Sequence, residues 1–299
     1  MVQFRKEFEE TCTKKFENDS KIGLLAAVAP DGYPHIALIS SLSVKTKTSL
    51  MWGQFSRGLS KAYLKDNPRT GFLVVSPDQF WWTGKALHRG FEVKGEDYDY
   101  FNNKPLFRYN SYCGFGAVHY GDLVEVSAGK KLPLAGMVSG FAGSVLRKNT
   151  LRKIAPAGKD IEKIPPYGMN LGSKLACLKF AAWVDADGYP RIIPALQGVP
   201  ADSGAMVFSP GPLGELLGQI PGGAKSAVFL ASLELETLLL QGRWYSRRRG
   251  NRFGGAAFAV DKVYNSMLPI GGYIYPPKKL PNVYGLPEER TAAAEVMPL

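Results

Sequence analysis

The residues best suited to chemistry lie in 49–68, "SLMWGQFSRGLSKAYLKDNP". An apolar run leads into a loop, and a helix is predicted to start near Ser60, which can serve as its N-cap, and to stop at Pro68. The first N–H groups of a helix lack partners within it and its dipole is positive there, so this end suits a phosphate. Ser60 could donate its hydroxyl, while Arg57 and Lys61 could supply charge. An ordinary capped helix with solvated Lys and Arg side chains remains the alternative.

No metal or nucleophile pattern accompanies this stretch. The three cysteines, Cys12, Cys113 and Cys177, have no paired spacing, and the chain has three histidines. We therefore expect no disulfide framework, no structural zinc site and a reducing cytoplasm as the location. No metal ligand and no catalytic side chain is assigned.

The elements that would position this stretch occur twice. "DGYP" stands at 31–34 and again at 187–190, an offset of 187 − 31 = 156 residues. Apolar runs flank both copies, and Asp-Gly between such runs predicts a β-hairpin. "FLVVS" (72–76) and "VFLAS" (228–232) follow in the same order at the same offset. An internal duplication explains this; two unrelated β domains that share a turn are the alternative.

The chain of 299 residues is long enough for two ordinary domains, and its 33 Gly and 21 Pro suit short strands with turns. Helices are predicted over 3–18, 60–68 and about 141–153. We expect a mainly β fold of two small antiparallel β-barrel repeats that pack as an intrachain pseudo-dimer, with a binding site between them. The predicted domains are a first barrel (1–130), a connector (131–160), a second, degenerate barrel (161–275) and an extended tail (276–299).

The net charge of +11 suits nucleic acid, an acidic membrane surface or an anionic small ligand. The one dense basic cluster is 243–252, "RWYSRRRGNR", for which a solvated hairpin tip is the alternative. "MVQFRKEFEE" lacks the apolar core of a signal peptide. The uncharged stretch 132–146 is too short and too interrupted to span a bilayer, and is expected to pack on protein. The basic residues do not visibly interleave with aromatic residues along one face, so we expect no nucleic-acid partner. Without a spanning segment, we also expect no membrane partner.

Three stretches, "DGYPHIALIS", "LMWGQFSRGLSKAYLKDNP" and "QFWWTGKA", resemble the FMN-binding split-barrel superfamily, the pyridoxamine 5'-phosphate oxidase-like proteins. They occur in that family's order and spacing. The resemblance extends across the first repeat and is weaker in the second. It implies a split barrel that normally dimerises, with FMN in the groove between two barrels.

The resemblance also implies residue roles. The strand after the first hairpin would run along the flavin ring, the end of a later strand would lie by the ring or ribityl chain, and the helix start would hold the phosphate. Gln79 would approach the ring from the strand before "GKA", and Lys85 lies at a family-like position, although an exposed strand lysine explains it equally well. The implied cofactor-binding residues are Leu38, Ile39, Ser40, Gln54, Phe55, Arg57, Ser60, Lys61, Gln79 and Lys85.

The second repeat departs from the family pattern. It carries "PGPLGELLGQIPGGAKS" (210–226) in place of the Ser-Lys helix, and Glu215 there would repel a phosphate. We therefore expect at most one flavin per chain. The aromatic insertion 96–116 could form a substrate wall, with Arg108 pairing an anionic substrate and Tyr98 and Tyr109 donating hydrogen bonds. A packed lid between the barrels is the equal alternative.

The function that the resemblance implies is that of an FMN-dependent oxidoreductase or electron carrier. The donor would be NAD(P)H or another small redox substrate and the acceptor is open. Fold resemblance does not transfer substrate, so pyridoxamine 5'-phosphate oxidase proper is less expected. A deazaflavin coenzyme whose acidic tail meets "RRRGNR" is an alternative, and so is a non-enzymatic flavin or haem binder. A further homo-oligomer stays open.

Overall fold

A computed structural model describes residues 3–55, 58–105, 114–156, 163–232, 234, 236–265 and 272–275. The first repeat contains β1 Phe4–Arg5, α1 Glu10–Phe16, β2 Ile22–Val28, β3 Pro34–Leu38, β4 Ser43–Thr46, β5 Ser49–Gln54, α2 Leu59–Asp66, β6 Arg69–Val75, β7 Phe80–Glu92, α3 Glu96–Asn103, β8 Ala117–Ser127 and β9 Lys130–Lys131. Two helices follow, α4 Leu134–Arg152 and α5 Pro166–Ser173. The second repeat contains β10 Leu178–Val184, β11 Pro190–Pro194, β12 Val199–Asp202, β13 Ala205–Phe208, α6 Gly214–Leu217, β14 Lys225–Ala231, β15 Thr237–Arg249, β16 Arg252–Asn265 and β17 Gly272–Tyr275.

The two sheets have the same strand order. The first runs β3-β2-β6-β7-β8-β5-β4 and the second β11-β10-β14-β15-β16-β13-β12. Ala26 pairs with Ile36 in the first hairpin and Ala182 with Ile192 in the second, so the register repeats at the 156-residue offset. The mainly β fold with two split-barrel repeats is confirmed.

The twin "DGYP" turns close these hairpins in the same way. Gly32 has φ 81° and Gly188 has φ 80°, a region that favours glycine. In each turn the aspartate accepts a hydrogen bond from the tyrosine N–H two residues later. The prediction of a tight Asp-Gly hairpin is therefore confirmed in both copies.

The three largest apolar cores among the described residues are divided between the two repeats and the contact between them. One fills the first barrel around Phe16 and Phe72, and a second fills the other barrel around Trp183 and Phe258. The third is shared by both repeats and places Ile36 among residues of the second sheet, such as Phe229. The repeats therefore bury a common face, as the predicted pseudo-dimer requires.

Polar contacts cross the same face in both directions. Thr83 Oγ1 donates to the Ile192 carbonyl at 2.6 Å, and Gln241 Nε2 donates to the Pro34 carbonyl at 2.9 Å. Each repeat thus supplies a β7 or β15 side chain to the hairpin strand of the other. A Cβ added to Gly71 would lie 2.1 Å from the Pro190 carbonyl oxygen, so the close approach of the two backbones requires glycine there.

An ion cluster lies at the rim of this contact. The ammonium of Lys85, 4% exposed, is 2.8 Å from carboxylate oxygens of both Asp185 and Asp187 and 3.7 Å from Glu125. Arg191 bridges Asp185 and Glu125 at 2.8 and 2.7 Å. We call these five residues the interface ion cluster. It joins strands of the first repeat to the second "DGYP" turn.

The helices differ in part from the sequence prediction. Residues 4–5 form a strand on β8 and the first helix starts only at Glu10, because the edge of β8 pairs Phe4 with Ser127. The N-cap of α2 is Gly58 rather than Ser60, which lies in the first turn. Among the described helices none is long and apolar enough to cross a membrane. The tail 276–299 lies outside the described residues, and the domain limits stay a prediction.

Candidate cofactor-binding site

Within the described residues, the first turn of α2 carries no acidic side chain. Gly58 is extended and gives no side-chain cap, and the first turn has Ser60 and Lys61 but no Asp or Glu. A Cβ added to Gly58 would meet nothing within 4 Å. The helix packs on β2 and β3, and its Tyr63 lies edge-on to His35 of β3. The first N–H groups of a helix have no partners within it, so this end of α2 could receive an anion.

Lys61 belongs to a cluster at the ends of β5, β7 and β8. Its Nζ lies 4.5 Å from the centroid of the half-exposed Phe91 ring. Phe91 in turn lies beside His119, and the Gln54 side-chain oxygen is 2.8 Å from His119 Nε2. The structure thus brings Gln54 and Lys61, two of the predicted residues, to one place.

Two histidines that the sequence left without a role complete this cluster. His119 Nδ1 is 3.0 Å from His88 Nε2, and the indole of Trp52 stacks on the His119 ring with centroids 5.6 Å apart. Burial lowers the pKa of His119 to about 3, with smaller contributions from His88 and Lys61, so this ring is neutral at pH 7. Only the pairing of β7 and β5 with β8 brings these side chains together, and no spacing in the sequence signals it.

A partly open strip lies beside the α2 start. Leu38 is 38% exposed, Ile39 and Ser40 are half-buried, and Phe55 is 37% exposed. Ser41 ties this strip to β5, since its hydroxyl donates to the Gly53 carbonyl and accepts from the Gly53 N–H, both at 3.0 Å. We call residues 38–40 and Phe55 the open strip. All four were predicted to contact a flavin; Leu38 and Phe55 are the exposed apolar ones, whereas Ile39 packs against the core of the first barrel.

The equivalent strip of the second repeat is closed. Residues 194–197 are buried, and Gln197 donates to the Ser209 carbonyl where the first repeat has Ser41 and Gly53. Helix α4 covers this place with a face of small residues. Ser144 Oγ accepts from the Ser209 N–H at 2.8 Å, and Ser209 Oγ donates to the Gly140 carbonyl at 2.7 Å. A chain segment thus occupies the place that stays open in the first repeat.

The helix start is also lost in the second repeat. Helix α6 is 4 residues long and has Glu215 in its first turn. Leu216 and Leu217 follow, so apolar side chains stand where α2 has Ser60 and Lys61. A cavity of about 260 Å³ remains beside α6, lined in part by Trp81, Lys130 and Lys131 of the first repeat.

Two predicted residues lie away from the open strip. The Gln79 carbonyl accepts a hydrogen bond from the Leu132 N–H at 2.8 Å. Strand β7, which follows Gln79, pairs with β9 and borders the cavity beside α6. Gln79 therefore lies on the side of α6 and not at the open strip. The ammonium of Lys85 lies in the interface ion cluster. Tyr98, on α3, packs against a small core around Phe101 and Phe115. Arg57, Arg108 and Tyr109 lie outside the described residues.

A third histidine is buried between the repeats. The His35 ring lies edge-on to Tyr63 of α2 and to Tyr264 of β16, at centroid distances of 5.4 and 4.7 Å. Its Nδ1 has no hydrogen-bond partner within the described part of the chain. Burial lowers its pKa to about 4. The ring is therefore neutral at pH 7 and packs where the two repeats meet α2.

No protein-family model matches the sequence, and no curated protein matches it. Solved structures do. An FMN-binding protein from Syntrophomonas wolfei has 16% identity and a TM-score of 0.34, covering 40% of this chain and 84% of its own. HupZ from Group A Streptococcus has 12% identity and a TM-score of 0.34, with 42% and 98% covered. An F420 reductase has 18% identity and a TM-score of 0.33, with 40% and 98% covered. Each of the three matches covers 40–42% of this chain.

Proposed function

We propose that this protein binds one FMN per chain in the groove of the first repeat and acts as a redox protein. The observation that supports this best is the contrast between the repeats. The first keeps an uncapped α2 start beside the open strip, whereas the second has Glu215 at the helix start and α4 over the strip. A duplicated fold that closes one groove and leaves the other open points to one retained site.

The chemistry of the open groove suits a flat ring that carries a phosphate. The α2 N–H groups, the Ser60 hydroxyl and the Lys61 ammonium would hold the phosphate, since anions favour a helix N-terminus and charge-assisted hydrogen bonds are strong. Leu38 and Phe55, more than a third exposed, offer apolar surface for a ring. The second repeat would supply the opposite wall, since its Tyr264 packs on His35, which in turn contacts Tyr63 of α2.

A bound flavin supplies the redox chemistry, and the protein binds and orients it. In this proposal Gln54 is the polar contact beside the ring, and the hydrogen-bonded chain through His119 to His88 holds its amide in one position. Tyr98 stays a proposed part of a substrate wall, as do Arg108 and Tyr109. The proposed redox partner is a small molecule such as NAD(P)H. The names of the similar structures, an FMN-binding protein and an F420 reductase, support a flavin-type ligand.

The visible spectrum of the purified protein, taken before and after adding FMN and removing the excess, tests this proposal. We expect flavin bands that stay with the protein and bleach when NADH or NADPH is added under anaerobic conditions. If the purified protein carries a deazaflavin coenzyme or haem instead of FMN, that group is the cofactor and FMN is not. Bands that persist unbleached with both nucleotides would leave a flavin binder but contradict NAD(P)H as donor.

A further inference from the structure

The outer face of α4 is apolar and exposed. Its inner face packs on the second sheet, whereas Leu134, Val138, Val145 and Leu146 are 41%, 53%, 46% and 86% exposed. At 3.6 residues per turn these four positions fall within an arc of about 120° on the side of the helix away from the buried Gly140, Ser144 and Leu151. A row of exposed aliphatic side chains on one helix marks a docking surface more often than an ordinary solvated face.

A basic surface continues from this row. The end of α4 meets the β15–β16 hairpin, because Leu151 packs with Ala257 and a Cβ added to Gly255 would lie 2.5 Å from Leu151 Cδ2. Arg247 pairs with Gly255 across the hairpin. The helix end and the hairpin tip therefore form one surface. Its basic residues are Arg147, Lys148, Arg152 and Lys153 from the helix side, with Arg247, Arg248, Arg249 and Arg252 from the hairpin.

Almost no acidic side chain offsets the charge of these eight basic residues. Neither 134–153 nor 243–260 contains an aspartate or a glutamate. Among the described residues, Arg152 with Asp202 is the one ion pair that any of the eight makes. Like charges gathered this closely repel one another, so an anionic partner would relieve them.

We propose that α4 and the β15–β16 hairpin dock on the surface of an anionic membrane. The aliphatic row would enter the headgroup boundary while the arginines and lysines meet acidic headgroups, the arrangement of interfacial amphipathic helices. Val145 and Lys148, both exposed, are neighbours three positions apart on the helix, so the apolar row leads into the basic residues. A nucleic-acid surface would place stacking or hydrogen-bonding side chains there instead of aliphatic ones. The expectation of no membrane partner rested on the lack of a spanning segment in 132–146, whereas this proposal concerns docking at the membrane surface.

Vesicle sedimentation with the full chain tests this proposal. The probes are vesicles of phosphatidylcholine alone and of phosphatidylcholine with about one third phosphatidylglycerol. We expect binding only to the acidic vesicles, with release at high salt. The Arg247→Glu, Arg248→Glu, Arg249→Glu triple variant should lose about 100-fold or more in affinity, since each basic residue near such a surface contributes roughly fivefold. Leu146→Glu, at an exposed position, should lose about tenfold while the chain stays folded.

Matched controls separate this result from a loss of net charge. The control for the triple arginine variant reverses three exposed lysines elsewhere, Lys47→Glu, Lys65→Glu and Lys94→Glu. The control for Leu146→Glu is Val93→Glu, at another exposed aliphatic position. Each control should bind the acidic vesicles more tightly than its test variant. Equal loss in test and control variants would overturn the proposal. So would tight binding to a random-sequence DNA duplex with no response to Leu146→Glu. The readout needs no flavin, so it is independent of the proposed redox function.

Discussion

The Ser60→Ala, Lys61→Glu double variant should lose about 100-fold or more in FMN affinity while its fold remains intact. It removes a hydroxyl and a cation from the α2 start and adds a carboxylate there. Charge-assisted hydrogen bonds are worth about 1.5–3 kcal/mol each, so a total loss near 3 kcal/mol corresponds to roughly 100-fold. A glutamate in the first turn interacts favourably with the helix dipole, so α2 should persist. Fluorescence titration with FMN measures the loss, and circular dichroism checks the fold.

Two controls make this result specific to the phosphate. Lys65→Glu places the same charge change in the last turn of the same helix and should leave FMN affinity within a few-fold. Riboflavin lacks the phosphate, so its weaker affinity should change little in the double variant. If FMN and riboflavin affinities fall together, the α2 start holds the ring or the fold rather than the phosphate. If neither falls, the flavin is not bound there.

Lys85→Met should destabilise the chain by about 3 kcal/mol at pH 7. It removes a nearly buried ammonium from between Asp185, Asp187 and Glu125 and leaves their carboxylates short of positive charge. Arg191 still pairs with Asp185 and Glu125, which limits the loss. Lys262→Met is the matched control, because it breaks the more exposed pair with Asp31 in the first "DGYP" turn. That loss should stay below about 1 kcal/mol. If chemical denaturation shows equal losses in the free energy of unfolding for the two variants, the interface ion cluster does not stabilise the fold as proposed.

The effect of Lys85→Met should also depend on pH. Burial by itself raises the pKa of Asp185, but hydrogen bonds from Lys85 and Arg191 outweigh it, and the pKa lies below its usual 3.8. The pKa of Asp187 is also lowered. A carboxyl with a lowered folded pKa stabilises the fold above its unfolded pKa and loses that contribution as the pH falls. The difference between wild type and variant should therefore be largest near pH 7 and shrink below pH 3.8. A difference that grows on acidification would contradict this ion cluster.

The repeat, its hairpins and the presence of α2 were predictable because they depend on local signals, although the N-cap of α2 is Gly58 and not the predicted Ser60. Asp-Gly turns, alternating apolar runs and the Ser-Lys pair act within a few residues. What the sequence could not give depends on strand pairing and on which element covers which face. His88, His119 and Gln54 meet only because β8 pairs with both β7 and β5. Helix α4 was expected as a connector, but its position over the second strip follows from the contacts of Gly140 and Ser144.

The flavin content at saturation tests the central claim most directly. The protein is saturated with FMN, freed of excess by gel filtration, and its bound flavin and chain concentration are both measured. We predict one flavin per chain, because the first groove keeps its open strip and α2 start while α4 and Glu215 close the second. Two flavins per chain would contradict the closure of the second groove, and none would contradict the site at the first.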